Sequence, residues 1–249
     1  MTGLAARALG GIGEVAPGDD LGAAIVAAAG ALGDGAIVVV AHTVVSKAEG
    51  ALRDLGTVTA GERATELAAD GDRDPRLVQV ILDESEQVLR AERGVLIART
   101  PHGLVCANAG VDASNSPSPE TVVLLPRDPD ASARALRARL RELCGTAPAV
   151  VISDSFGRAW RHGQVDVAIG VAGLAPLEDW RGRSDANGRL LRATWIAVAD
   201  AVAAAADLAR AKDSREPVVV VEGLARFVTR EDGPGAVALQ RPPEEDLFP

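Results

Sequence analysis

Aromatic side chains are nearly missing from this chain: there is no tyrosine, and tryptophan and phenylalanine together supply 2% of the residues. Single-stranded nucleic acid is gripped by rings on which bases stack, so that class of ligand is excluded. Net positive charge is also lacking. The formal charge is −9, which opposes the non-specific hold on a phosphate backbone that DNA- and RNA-binding proteins need. A small polyanion is another matter, because a local cluster of basic side chains can bind one within an acidic protein. Only two cysteines occur, Cys106 and Cys144, and they fit no metal-ligand spacing. Buried free thiols are expected, as a reducing cytoplasm permits. No basic stretch followed by an apolar run opens the chain, and no apolar run reaches membrane-spanning length. The expectation is a soluble cytoplasmic protein with neither a membrane nor a nucleic-acid partner. Lysine is scarce too: Lys47 and Lys212 are the only two among 26 basic residues.

What is present is a large apolar mass, 47% of 249 residues, mostly Ala, Val and Leu. That is enough for a substantial core. Short β-branched runs at residues 36–41, 95–98, 121–125, 149–152 and 218–221 read as buried strands. Helical segments are expected over 21–32, capped by Asp19 or Asp20, and from Asp74-Pro75 onward, with Leu77, Val78, Ile81, Leu82, Val88 and Leu89 on one face. Further helices are expected from Asp128 or Asp130 through Cys144, and over 194–212. Strands interspersed with helices indicate an α/β or mixed α+β fold.

Three polar stretches follow apolar strands and concentrate the chemistry. The first is residues 42–50, HTVVSKAEG, carrying Lys47, a compact charge suited to a phosphate oxygen. The second, residues 106–115, offers Asp112 and Asn115 among small residues. The third leaves the strand at 149–152 as Ser153-Asp154-Ser155 and continues as a Gly-punctuated loop with Arg158, Trp160, Arg161 and His162. Carboxylates from separate loops can share divalent cations, while lysine and arginine neutralise a nucleotide's phosphates. That combination suits phosphoryl transfer, in which catalysis is mostly positioning and charge neutralisation. Each stretch also has a plainer reading: a surface Lys47–Glu49 pair, an Asx-turn at Asp112, and a capping Asp154 beside solvated arginines. The Gly-x-Gly at residues 11–13 precedes no Walker lysine, so it is a weak nucleotide signature by itself.

Taken together, residues 17–21 (PGDDL), 44–50 (VVSKAEG), 107–112 (ANAGVD) with Ser114-Asn115, 125–126 (LP) with 128–133 (DPDASA), 153–161 with Gly163, and 246–248 (DLF) resemble the coenzyme F420-0:L-glutamate ligase (gamma-glutamyl ligase) family, in the same order and over nearly the whole chain. The resemblance implies a single two-lobed α/β domain over residues 1–249, neither P-loop nor ATP-grasp. It also implies no C-terminal nitroreductase-like domain. The implied activity is GTP-dependent addition of L-glutamate to coenzyme F420-0 through an acyl phosphate, releasing GDP and phosphate. Mn²⁺ or Mg²⁺, two per site, with K⁺ and a homodimer, are implied as well. By position, Ile12, Gly13, Glu14, Val15, His42, Lys47 and Asn115 would contact GTP. Asp112 and Asp154 would ligate the first metal and Ser155 the second, with Asp154, Lys47 and Arg158 carrying catalysis. Two residues depart from the family pattern: His42 stands where many members have a hydroxyl, and Lys212 stands where some have a glutamine suited to a metal. A non-catalytic nucleotide-binding relative, or a ligase acting on another acceptor acid, are the alternative readings.

Overall fold

Strict alternation of apolar side chains along three buried strands organises the larger of two lobes. In the computed structural model, which describes residues 3–245, chain order begins with β1 (Ala5–Leu9), α1 (Leu21–Ala29), β2 (Ile37–Ala41) and α2 (His42–Ala48). The chain then leaves for a second lobe and returns as α5 (Pro129–Cys144), β8 (Ala149–Arg158) and β9 (Arg161–Ala172). It closes with β10 (Leu177–Asp179), β11 (Trp195–Ala197), α6 (Val198–Asp207) and β12 (Val218–Glu222). Five of these strands form one sheet in the order β1-β12-β2-β8-β9. Only β2 and β8 run parallel.

Because successive side chains leave opposite faces of a strand, Val38, Val40, Val150, Ile152, Val218 and Val220 meet α1 and α5 on one face. Ile37, Val39, Ala149, Val151, Val219 and Val221 meet α6 on the other. A strand buried on both sides reads as a continuous apolar run, which is why these segments are legible without any pattern of polar residues.

The second lobe lies between α2 and α5 in sequence. It comprises β3 (Leu52–Asp54), α3 (Glu62–Ala69), α4 (Pro75–Asp83), β4 (Gln87–Glu92), β5 (Val95–Arg99), β6 (Val105–Ala107) and β7 (Thr121–Val123). Its separate core gathers Leu55, Ala64, Val78, Ile81, Leu96, Ala98, Val111 and Val122. The antiparallel pair β3–β7 carries the chain out and back.

Helix starts follow the capping chemistry. Asp20, Asp74 and Asp128 accept from the amides of Ala23, Arg76 and Ala131, and Pro75 and Pro129 occupy first-turn positions. Asp130 is not a cap: it accepts from Val171 and Ala236, tying α5 to β9 and to the C-terminal segment.

Four expectations change. Val88 and Leu89 belong to strand β4, because α4 stops at Asp83 and the chain reverses to pair with β5. The helix expected over 194–212 is divided into β11 and the shorter α6, since β11 finds a partner in β10. The helix expected over 21–32 ends at Ala29, where Gly30 takes φ 72°. The largest change concerns Ser153 onward: strand β8 continues to Arg158 and turns back into β9 within two residues, so the expected loop is a two-stranded ribbon. The motif at residues 246–248 lies outside the described residues. Both cysteines are free thiols, with Cys106 buried.

A buried arginine holds the sheet layer together. Arg137 on α5 donates to Pro148 O at 3.2 Å, Thr229 O at 2.6 Å and Arg230 O at 3.2 Å, and pairs with Asp232 at 2.7 Å. Removing it leaves several carbonyls unsatisfied around a buried gap. Arg137→Ala is expected to destabilise the fold by about 1–3 kcal/mol in urea denaturation, the cost of leaving buried carbonyls unsatisfied; no measurable loss would show the latch to be dispensable.

Candidate active site

The parallel register of β2 and β8 sets the centre of the site. Ala41 pairs with Ser153, so α2 begins beside the next residue of β8. His42 Nε2 therefore lies 3.4 Å from Asp154 Oδ1, and its Nδ1 faces Ser46 Oγ, one turn along α2, at 3.5 Å. His42 is buried. The imidazole bridges α2 to β8.

Asp112 arrives from the second lobe. Asn108, Ala109 and Gly110 all adopt positive φ, an uncommon conformation for the two non-glycines. Gly110 also leaves no room for a side chain, since a Cβ there would sit 2.6 Å from Leu125. This bend is held by Arg73, which donates to Asn108 Oδ1 at 3.1 Å. It delivers Asp112 to a bridge with Val123. The Asp112 carboxylate accepts from the amide and hydroxyl of Ser114, both at 2.6 Å, and from Asn115 Nδ2 at 3.0 Å. The expected Asx-turn is thus present and fixes the carboxylate.

The two carboxyls respond differently to being buried. For Asp112, burial works against ionisation, yet hydrogen bonds from Ser114 and Asn115, with the field of His42, outweigh it and hold the carboxyl below its ordinary value. For Asp154, burial dominates and pushes the carboxyl up, aided by Asp166 and Asp112, while His42 and the Ser155 amide oppose it. Cys106 borders the same group. Burial, then the charge of Asp154, pushes its thiol up to about 12, so it is not a nucleophile at neutral pH. Among the described residues no lysine or arginine forms an ion pair with either carboxylate. Two hard-oxygen ligands, mutually repulsive and with the His42 imidazole as the one basic group beside Asp154 among the described residues, suit a divalent cation. No group of three or more His, Cys, Asp or Glu among the described residues is arranged to enclose a metal by itself. Substrate oxygens and water would have to complete the coordination.

Lys47 sits five residues beyond His42 on α2. It is buried, and its ammonium meets Glu14 Oε1 at 2.5 Å. Ile12 and Val15 pack into the same core as Val44 and Val45 of α2, and Gly13 takes φ 76° between them. The loop is thereby laid against α2 with Glu14 turned outward onto Lys47. The alternative pairing of Lys47 with Glu49 does not form.

Ser155 and Arg158 do not join this group. Ser155 is next to Asp154 but on the opposite face of the ribbon, paired in register with Asp166. Arg158 lies at the exposed ribbon end, donating to His162 O at 2.8 Å.

Sequence reasoning missed Asp166 and Arg210. Asp166 is 1% exposed and accepts from Ser153, Ser155 and Arg210 at 2.9, 2.6 and 2.5 Å. Burial opposes its ionisation, but the Ser155 hydrogen bond and the Arg210 charge hold its carboxyl below the ordinary value. The available signal was the period-two spacing of Ser153 and Ser155, legible only once β8 is known to continue.

The matched region of the chain, residues 11–223, fits the model of the F420-0:Gamma-glutamyl ligase family. The chain belongs to that family. It is similar to the coenzyme F420:L-glutamate ligase of Methanopyrus kandleri, 46% identical over 94% of this chain and 93% of that one. It is likewise similar to the ligases of the same name from Methanothermobacter thermautotrophicus, 41% identical over 99% of both chains, and Haloarcula marismortui, 42% identical over 96% and 93%. The mixed α/β fold agrees with membership of this ligase family. No helix among the described residues is long and apolar enough to cross a membrane.

The raised Asp154 carboxyl has a consequence for stability. A carboxyl raised on folding contributes stability that is complete below its ordinary value of 3.8 and is lost as pH rises through the raised value. At neutral pH the ionised group therefore works against folding. Asp154→Asn, in chelator, is expected to melt higher than the native chain at about pH 7, with the gap shrinking toward about pH 4. Each 1 kcal/mol relieved corresponds to about 2–4 °C at this chain length. An equal or lower melting temperature at neutral pH would count against a destabilised Asp154.

Proposed function

We propose that this protein joins L-glutamate to the terminal carboxylate of coenzyme F420-0 by an amide bond, using GTP and a divalent cation. The observation that carries this is that Asp112 and Asp154 lie within each other's electrostatic reach with no lysine or arginine partner among the described residues, beside the helix that carries His42 and the buried Lys47, in a chain 41–46% identical to four ligases of that name. Mn²⁺ or Mg²⁺, K⁺ and a homodimer belong to the same proposal.

The chemistry requires two displacements. First, a carboxylate oxygen of the acceptor forms a bond to the γ-phosphorus while the bond from that phosphorus to the β-bridging oxygen breaks, releasing GDP and leaving an acyl phosphate. Next, the glutamate amine forms a bond to the acyl carbon, phosphate departs with the C–O electron pair, and the amine proton is lost to solvent or base. Both steps bring anions together, so the protein's work is charge neutralisation and positioning.

Lys47 supplies a fixed positive charge from a buried position. Binding a phosphate there requires Glu14 to release the ammonium, which its exposed side chain can do at little cost. Asp112 and Asp154 would hold the divalent cation, whose role is to draw charge from the phosphate oxygens. His42 orients Asp154 and excludes water from its buried side. Asn115 holds Asp112 in position and leaves its carbonyl oxygen free toward the nucleotide.

The direct test is mass spectrometry of F420-0 incubated with the protein, GTP, L-glutamate and Mn²⁺. A product heavier by one glutamyl unit, absent when any component is omitted, is expected. Nucleotide binding without product would instead favour another acceptor or a non-catalytic relative. Asp154→Ala is expected to abolish turnover, and near-native activity would remove it from the site. Lys47→Ala is expected to raise the GTP KM about 10-fold or more, the scale of a lost charge-assisted hydrogen bond of ~1.5–3 kcal/mol. Unchanged KM and kcat would return Lys47 to a structural role.

A further inference from the structure

Behind the ribbon, on the face away from Asp154, the second lysine closes a cage of oxygens. Lys212 Nζ donates to Ser155 Oγ at 2.6 Å and Asp207 Oδ1 at 3.2 Å, and lies 3.7 Å from Asp166 Oδ1. The three oxygens come from β8, α6 and β9, and an ammonium has three N–H donors to direct at them. Arg210 completes the group from the same side of α6, meeting Asp166 Oδ2 at 2.5 Å, Ser153 Oγ at 3.3 Å and Pro217 O at 2.9 Å. Lys212 itself reaches in from solvent, with 68% of its side chain exposed.

Charge separates the two faces of the ribbon. Behind it, two carboxylates, Asp166 and Asp207, face two cations, Arg210 and Lys212, and the cage is neutral as it stands. In front, Asp112 and Asp154 have no lysine or arginine partner among the described residues. A divalent ion is attracted to the front pair, but behind the ribbon it would enter a cage with no net negative charge. The bonding of Ser155 points the same way. Its proton is donated to Asp166 Oδ1 and one of its two lone pairs receives Lys212, so a metal bound there would have to sit against the Lys212 ammonium or displace it. The residues therefore do not fit the second divalent ion that the family resemblance implies at Ser155.

We propose that Lys212 is the permanent cation of this cage, so that each chain holds one divalent ion, at Asp112 and Asp154, and a tethered ammonium takes the place of the second. Only the position of the first ion rests on the ligase reading; the filled cage depends on the charges behind the ribbon. An ammonium offers fixed positive charge and hydrogen bonds but no open coordination position. The rear site therefore balances the charge of Asp166 and Asp207 without exchanging ligands, and its occupancy is independent of metal concentration. Removing the lysine charge leaves a net negative cage, and a glutamine in its place adds an amide oxygen.

The test is a count of bound Mn²⁺ by equilibrium dialysis and elemental analysis, with Mn²⁺ as the only added ligand. The native chain is expected to bind one ion and Lys212→Gln two. Lys212→Arg should keep one, and adding Ser155→Ala to Lys212→Gln should return the count to one. Two ions on the native chain, or no gain in Lys212→Gln, would overturn the proposal. Asp112→Asn keeps the two inferences apart. If it retains the native ion while Lys212→Gln still gains one, the front-site assignment fails and the filled cage stands. Because Lys212 is exposed, its variants are expected to fold, which their urea denaturation curves check independently of metal.

Discussion

The parallel pairing of β2 with β8 is the contact on which the site depends. A parallel pair brings equivalent ends of two strands to the same level, and here Ala41 beside Ser153 makes the start of α2 and the continuation of β8 neighbours. His42 is thereby presented to Asp154, with Ser46 one turn behind it, by a short helix that grows directly out of the sheet. Ligands in α/β sheets gather at such carboxyl ends. The remaining strands of that sheet are antiparallel and flank this pair, while α1 and α5 on one face and α6 on the other bury it. The second lobe contributes the bend of left-handed residues that leads to Asp112, with Ser114 and Asn115 fixing its carboxylate.

The antiparallel return of β9 adds a second constraint. Adjacent residues on a strand face opposite ways, so Asp154 and Ser155 are separated by the thickness of a ribbon despite being neighbours in sequence. The consequence is electrostatic. Asp154, buried among other carboxylates, has its carboxyl pushed up. Asp166, more deeply covered but hydrogen-bonded by two serines and faced by Arg210 and Lys212, has its carboxyl held down. One side of the ribbon is left with unbalanced negative charge and the other is closed. A destabilised carboxylate of the first kind is the sort of strain that folded proteins retain where a ligand relieves it.

Much of this was legible in the sequence where a residue's local chemistry decides its place. The valine-rich runs of β2 and β12, the caps at Asp20, Asp74 and Asp128, and the free thiols all follow from composition and neighbours. Asp112, Asn115, Lys47 and Asp154 could be singled out as scarce polar groups beside apolar strands. The ribbon was not legible, because Ser-Asp-Ser-Phe-Gly-Arg carries turn-forming residues and no apolar alternation. It is a strand only because Arg161–Ala172 pairs with it. Val88 and Leu89 misled for the converse reason: their spacing continues a helical stripe that the reversal after Asp83 interrupts.

By itself the sequence determined the ingredients: buried strands too apolar to lie anywhere but a core, acidic residues spaced to start helices, and a family motif set that fixes the order of functional segments. Tertiary structure decided the partnerships. That Lys47 meets Glu14, that His42 rather than a lysine or arginine faces Asp154, and that Lys212 closes on Ser155 and Asp166 all require contacts between segments distant along the chain. Such contacts depend on strand register and face, and a one-residue change in register exchanges the two faces of a strand. A list of residues does not contain that choice; the packed sheet makes it.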